Sequence, residues 1–524
     1  MELNLASLGE MKNVETPKYD VFKVIDDTKQ NPIWLHFGAG NIFRGYIARL
    51  QDDLLNLGKT NKGIIACETF DYEIIDDIYD KYDNLTLLAS LSAKNPTKYR
   101  VVSSIVEGVK GNEEGRLKEI FSNPSLQFIS FTITEKGYGL RDLEGNFLGV
   151  VKEDIQNGLN NPKHAMSVVC KLLFERFNHG QLPLAVVSMD NCSHNGEKLK
   201  NAVLTIATEW EKAGFVTKEF IDYLNDETKI TFPWSMIDKI TPRPAQEVLE
   251  EINKLGFVNM DPITTSKRTF ISPFVNAEIS EYLVIEDKFP NGRPSLEEVG
   301  VYFTDRETVN KVETMKVTTC LNPLHTALAV YGCVLGYKSI ASEMENPLLN
   351  KLVHEIGREG MEVVVDPKIL KPVDFLNQVL NERLPNKAIP DMPQRIATDT
   401  SQKIPVRFGE TIKSYLKRDD LDVNSLTFIP LAIAGWCRYL LGLNDNLEEF
   451  ELSSDPMLSV LRDILKDVKI GAKYNGELKP ILSNSQIFGL NLYDTPLAAK
   501  IECMFEKLCA GKGAVANTLE EYLK

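Results

Sequence analysis

The chain has 524 residues, 43% hydrophobic and 25% charged, with a formal net charge of −15. That length exceeds what one hydrophobic core usually serves, so two domains are expected. The acidic balance argues against a nucleic-acid partner, no run approaches a membrane span, and the first thirty residues are too polar for a signal peptide.

The elements follow in chain order. Residues 1–30 read as an irregular lead-in. The apolar run 32–37 predicts a buried parallel strand, with His36 as its polar exception. Gly38-Ala-Gly40 supplies a tight turn and bare backbone. Asn41-Ile42-Phe43-Arg44-Gly45 then opens a helix over 40–56, whose N–H groups and dipole favour an anion. Phe43 stands where a third glycine would be expected, so the motif alone is a weak dinucleotide signal.

A second strand, 63–67, leads into Glu68. An acid there can take a ribose 2′-hydroxyl and repels a 2′-phosphate, favouring NAD over NADP; the alternative is an ordinary solvated acid. Further strands are expected at 84–90, 101–107, 127–133, 183–189, 229–233 and 281–286, with helices at 163–178 and 194–213. Strands alternating with helices predict an α/β, doubly wound, Rossmann-like domain. Polar clusters follow three strand runs: Thr132-Ile-Thr134-Glu135-Lys-Gly-Tyr138, Asp190-Asn191-Cys-Ser-His194-Asn195-Gly196, and Asp238-Lys-Ile-Thr-Pro242-Arg243. Each alone could be turn chemistry; three in one architectural position suggest a cleft.

The eight cysteines (67, 170, 192, 320, 333, 437, 503 and 509) are scattered and read as reduced core residues. Cys192-Ser-His194 is the nearest approach to a metal pair, and two ligands without a third do not make a site. Near Asp287–Pro294 the strand pattern ends. Long helical patterns follow at 304–336, 347–364, 372–384, 406–418, 425–443, 455–468 and 494–509. The expected division is therefore 1–294 and a mostly α-helical 295–524.

Within that half, Lys316-Val-Thr-Thr-Cys-Leu-Asn322-Pro-Leu-His325 sets an amine, a carboxamide and an imidazole in an apolar run. Asn322 and His325 are three apart and share a helix face. Such a trio is either a satisfied internal network or a site, and the glycine turn upstream favours a site.

These blocks, together with Val284-Ile-Glu-Asp287, Gly292-Arg-Pro294 and Ser401-Gln-Lys403-Ile-Pro-Val-Arg407, resemble the polyol-specific long-chain dehydrogenases, the mannitol dehydrogenase family. The form is closest to its hexuronate reductases, and the resemblance runs from about residue 32 to the end of the chain. It implies an N-terminal NAD-binding domain, a helical C-terminal domain, and metal-independent hydride transfer between them. The cofactor would lie against Phe37, Gly38, Gly40, Asn41, Ile42, Glu68, Thr134 and Glu135.

By the same resemblance Lys316 is the general acid/base, which needs a lysine pKa well below its usual value of about 10.4. Asn191 and Asn322 would hold the developing alkoxide, His325 would orient substrate, Glu313 would relay the proton, and Asp238 would bind a substrate hydroxyl or orient the site as a carboxylate. The family usually has four residues between the lysine and the asparagine. Here there are five, which predicts a π-bulge or break between 317 and 322, helped by Pro323. The family's usual Trp and Gln are replaced by Tyr282 and Glu281.

Lys403, Arg407 and Arg243 offer cations to a carboxylate, which arginine grips bidentately. A structural ion pair is the alternative for Arg407. The expected substrate is a keto-hexuronate, fructuronate or its epimer tagaturonate. A fructose–mannitol enzyme and a nucleotide-binding protein without catalysis remain the alternatives. A small-molecule partner is expected, with no nucleic acid and no membrane.

Overall fold

Trp34-Leu-His-Phe37 and Leu184-Ala-Val-Val-Ser188 are buried at every position, the mark of strands covered on both faces. The computed structural model describes residues 1–92, 94–142 and 144–524. Its strands run Trp34–Phe37 (β1), Ile64–Glu68 (β2), Thr86–Leu91 (β3), Lys98–Val102 (β4), Ile105–Lys110 (β5), Phe128–Phe131 (β6), Leu184–Ser188 (β7), Ile230–Thr231 (β8), Ser235–Asp238 (β9), Ile263–Thr264 (β10), Phe270–Ile271 (β11), Phe274–Glu278 (β12), Tyr282–Glu286 (β13) and Tyr302–Thr304 (β14). Two units divide the chain: Met1–Leu91 with Asn95–Asn310, and Lys311–Lys524 with Ser92–Lys94. The sequence pattern places a boundary at 294/295; the units part inside the helix Arg306–Met315.

In the first unit, six parallel strands lie in the order β5-β2-β1-β6-β7-β8. The chain leaves β1 toward β2 on one side and comes back to β6 on the other. The carboxyl ends of β1 and β6 therefore flank the switch point, where open α/β sheets bind ligands.

The smaller strands depart from the expected alternation. β3, from the 84–90 run, pairs with β12 and β4 in a separate three-stranded sheet. β13 pairs with β9 and β14 in another. The apolar run 101–107 is split between β4 and β5 because its two serines bond elsewhere. The Ser103 amide and Oγ donate to Asp52 Oδ1, and Ser104 Oγ donates to the Ala48 carbonyl. Polar groups committed to a neighbouring helix cannot continue a ladder.

The second unit is helical. Asn322–Leu335 is apolar nearly all round and almost wholly buried, and it packs on Phe428–Tyr439, where Tyr331 Oη donates to the Leu431 carbonyl at 2.7 Å. Three π-helical turns interrupt its helices, at Lys316–Cys320, Val379–Arg383 and Pro405–Gly409. Such turns are frequent at functional sites. Two of them carry Lys316 and Arg407, residues the sequence marks for chemistry.

Candidate active site

β1 ends at Phe37, and the chain turns through Gly38 at φ +101°. A Cβ there would lie 2.2 Å from the Thr132 carbonyl oxygen, so the turn admits only glycine. Gly40 faces open space, with nothing within 4 Å of where a Cβ would stand. The first helical bond runs from the Arg44 amide to the Gly40 carbonyl at 3.1 Å. The amides of Asn41 and Ile42 thus precede any acceptor within the helix. Asn41 Oδ1 is buried without a hydrogen-bond partner among the described residues. Bare backbone and free amides at a helix start are what a bound diphosphate requires; the Asn41 oxygen, an acceptor, would need a hydroxyl or amide donor instead.

Glu68 closes this crevice at the end of β2. Its Oε2 accepts from the Ala39 amide at 3.0 Å, and its Oε1 accepts from the Phe70 and Asp71 amides at 2.8 and 3.3 Å. The acid therefore braces the glycine turn from the end of β2. His36 is a satisfied core group. It sits fully buried between Ser130 Oγ at 2.6 Å and Thr132 Oγ1 at 2.8 Å, stacked on Phe43. Burial holds its pKa well below the ordinary value, so the ring is neutral.

At the ends of β6 and β7, Asp190 accepts from the Ile133 and Thr134 amides and from Tyr138 Oη. Asn191 follows it on an exposed turn. Asn195 fastens that turn, donating to the Ser188 and Asp190 carbonyls and to Ser235 Oγ. Glu135 is exposed and pairs with Lys198. His194, beside Cys192, packs against Trp234 at 4.5 Å, and among the described residues no group of three His, Cys, Asp or Glu could hold a metal. Asp238 ends β9 and is buried. Arg243 is exposed; its carbonyl accepts from Asn276 Nδ2.

In the second unit, Glu313 lies one turn before Lys316, which is 4% exposed. Lys316 opens the π-turn, and the Leu321 amide bonds back to its carbonyl at 3.2 Å. Leu321 then breaks the helix at φ −133°, and a new helix starts at Asn322 with Pro323 in its first turn. The extra residue between lysine and asparagine is absorbed there, as the spacing predicts. Asn322 and His325 share the first turn of the new helix.

His325 is only partly buried, and its Nε2 lies 2.7 Å from Asp391 Oδ2, off the line of a straight hydrogen bond. Burial lowers the His325 pKa against the pull of Asp391, and Arg383 and Arg407 push the same way as burial. Arg407 Nη1 donates to Thr326 Oγ1 at 2.5 Å. No carboxylate lies within ion-pair reach of Arg407 or Lys403 among the described residues, and burial draws Arg407 down to about 10. Lys403 donates to the Ile396 and Thr398 carbonyls. Burial and then the Arg407 charge bring Lys403 down to about 8. Asp399 and Asp455 pull Lys403 the other way from beyond ion-pair distance; two neighbouring cations so placed can attract an anion.

Sequence reasoning missed Asp391, whose carboxylate faces His325 Nε2 and pairs with Arg395, and Arg383, whose charge reaches His325. The Asp391–Arg395 spacing of four on a helix start was the available signal.

Comparison with known proteins agrees along the chain. A family model described as the mannitol dehydrogenase Rossmann domain matches residues 32–298, and one described as the mannitol dehydrogenase C-terminal domain matches 308–509. The D-mannonate oxidoreductase of Thermotoga maritima is 53% identical over 98% of this chain and 96% of its own. The D-mannonate oxidoreductase of Escherichia coli is 27% identical over 91% and 93%. Among solved structures, mannitol 2-dehydrogenase of Pseudomonas fluorescens, in a ternary complex with NAD and D-mannitol, superposes with a TM-score of 0.71. It is 26% identical, covering 100% of this chain and 99% of that one.

Proposed function

Because the chain belongs to the mannitol dehydrogenase family, we propose that it reduces the ketone of a keto-hexuronate with NADH, fructuronate to mannonate or tagaturonate to altronate. The observation that carries the choice of substrate is Arg407: half-buried, without a carboxylate within ion-pair reach, and bonded to Thr326, next to His325. A guanidinium in that state favours an anionic ligand over a neutral polyol. Lys403, with Asp399 and Asp455 near but outside ion-pair distance, adds to the attraction. The name of the Thermotoga maritima relative supports the same choice.

The dinucleotide fits the crevice at Gly38, Gly40, Asn41 and Glu68, and when bound it supplies the hydride. Lys316, the first residue of the π-turn, would give the ketone oxygen its proton. Asn322 and Asn191 would donate hydrogen bonds to that oxygen as charge develops. His325, oriented by Asp391, would hold a substrate hydroxyl, as would Asp238, and Glu313 would return the proton to solvent. No metal takes part in this scheme. The reading places the enzyme in the cytoplasm, on its cysteine usage, with a small sugar acid as its partner and neither nucleic acid nor membrane.

The test is NADH oxidation by the purified protein with fructuronate, tagaturonate and fructose side by side. Turnover with a uronate is expected. Turnover with fructose alone would make it a mannitol-type enzyme, and NADH binding without turnover would leave a nucleotide-binding protein that lacks the chemistry.

A further inference from the structure

Thr134 follows β6 with φ 66° and ψ 160°. That region is open to glycine and closed to nearly every other residue, above all a β-branched one. A strained residue persists only where its surroundings over-determine it. Here the restraint is visible. Asp190, 9% exposed, turns its carboxylate onto the strained segment: Oδ1 accepts from the Thr134 amide at 2.9 Å and Oδ2 from the Ile133 amide at 3.0 Å. Tyr138 Oη donates to the same Oδ2 at 2.6 Å, and the Gly137 amide bonds the Thr134 carbonyl at 3.0 Å. Asp190 is itself fixed, since Asn195 Nδ2 donates to its carbonyl.

The consequence is directional. Both amides of the turn are drawn inward, while the side chains of Thr134 and Glu135 are left exposed at the carboxyl end of β6. The same turn abuts Gly38, whose missing Cβ would meet the Thr132 carbonyl and the Ile133 side chain. The strain thus sits at the switch point of the sheet.

We infer that Asp190 is a positioning residue that holds Thr134 in its strained backbone conformation, and that dinucleotide binding depends on that conformation. The inference rests on reading the β1–β6 crevice as the dinucleotide site. Asp190→Asn would set a carboxamide N–H against one of the two amides, freeing the turn to relax. Glycine at 134 would make the same conformation costless and remove the need for the clamp.

The experiment titrates NADH against wild type, Asp190→Asn, and Asp190→Asn combined with Thr134→Gly, following nucleotide fluorescence. The dissociation constant should rise roughly tenfold in the single variant, about what one disturbed ionic hydrogen bond gives. The double variant should recover most of that loss, which a merely structural role for Asp190 would not produce. A single variant that binds like wild type, or a double variant with no recovery, would overturn the inference. Thr134→Gly alone provides a readout that survives a failure of Asp190→Asn to fold: relief of strain should raise its melting temperature above wild type, and an equal or lower value would also overturn it. Wild type that binds no NADH would remove the crevice reading instead, and the inference with it.

Discussion

His325 Nε2 and Asp391 Oδ2 stand 2.7 Å apart, joining the helix Asn322–Leu335 to a loop 66 residues further on in sequence. Burial pushes the Asp391 carboxyl up, but His325 and Arg395 outweigh it and hold it below the ordinary carboxylate range. An ionised Asp391 keeps the imidazole proton on Nε2, leaving Nδ1 as the nitrogen able to accept from a substrate hydroxyl. Asp391→Asn should therefore lower kcat/KM for the keto-sugar roughly tenfold, one orientation step of 1.4 kcal/mol, with little change in NADH affinity. Steady-state kinetics on the folded variant checks this, and an unchanged kcat/KM would free Asp391 from the role.

Substitution separates Lys316 as the proton donor from a rival assignment in which the His325 imidazole takes that role. Lys316→Ala should reduce kcat by roughly 10²–10⁴-fold, the contribution of a positioned general acid. His325→Ala should leave a larger residual rate. The opposite order would make the imidazole the acid and the lysine a bystander.

Lys403 gives a pH dependence with a defined sign. Its folded pKa of about 8 means the ammonium is charged below that pH and neutral above it. Attraction for a carboxylate should weaken as pH rises through about 8, so KM for a uronate should climb there while KM for fructose stays level. Lys403→Arg should abolish the inflection, since a guanidinium stays charged. The same climb for both sugars would assign the titration elsewhere.

Glu343 is the least explained group in the second unit. It is fully buried, neither carboxyl oxygen has a hydrogen-bond partner among the described residues, and it presses on Gly332, where a Cβ would lie 2.0 Å from Oε1. Burial, and then the charge of Asp391, push its pKa to about 10 from 4.5. The folded state keeps a proton that the unfolded state has lost, so its contribution is fully favourable below about pH 4.5 and is lost as pH rises toward about 10. Glu343→Met should raise the melting temperature at pH 8 by a few degrees, and that gain should shrink as pH falls to about 4.5. A variant that melts lower at both pH values would mean the carboxyl has a partner.

Much of this was legible from residues alone. Gly38, Gly40 and Glu68 announced the crevice because a phosphate needs bare backbone and a helix start, and both needs write themselves locally. The π-turn at Lys316 was legible from one surplus residue and Pro323. Asp391 and Arg395 were not, because their value lies in Asp391 meeting His325 across 66 residues of intervening helices and turns, a contact no local period encodes. The separate β3–β4–β12 sheet was hidden for a related reason: Ser103 and Ser104 look like strand residues until Asp52 and Ala48 claim their hydrogen bonds.

The central claim is that the Arg407 guanidinium awaits a substrate carboxylate, and the most direct measurement compares wild type with Arg407→Met on fructuronate and fructose. Loss of this half-buried ionic hydrogen-bonding partner should cut kcat/KM for fructuronate by roughly 10²-fold or more, while the rate on fructose changes little. An equal loss on both sugars would contradict the account, as would an Arg407→Met enzyme that still prefers the uronate.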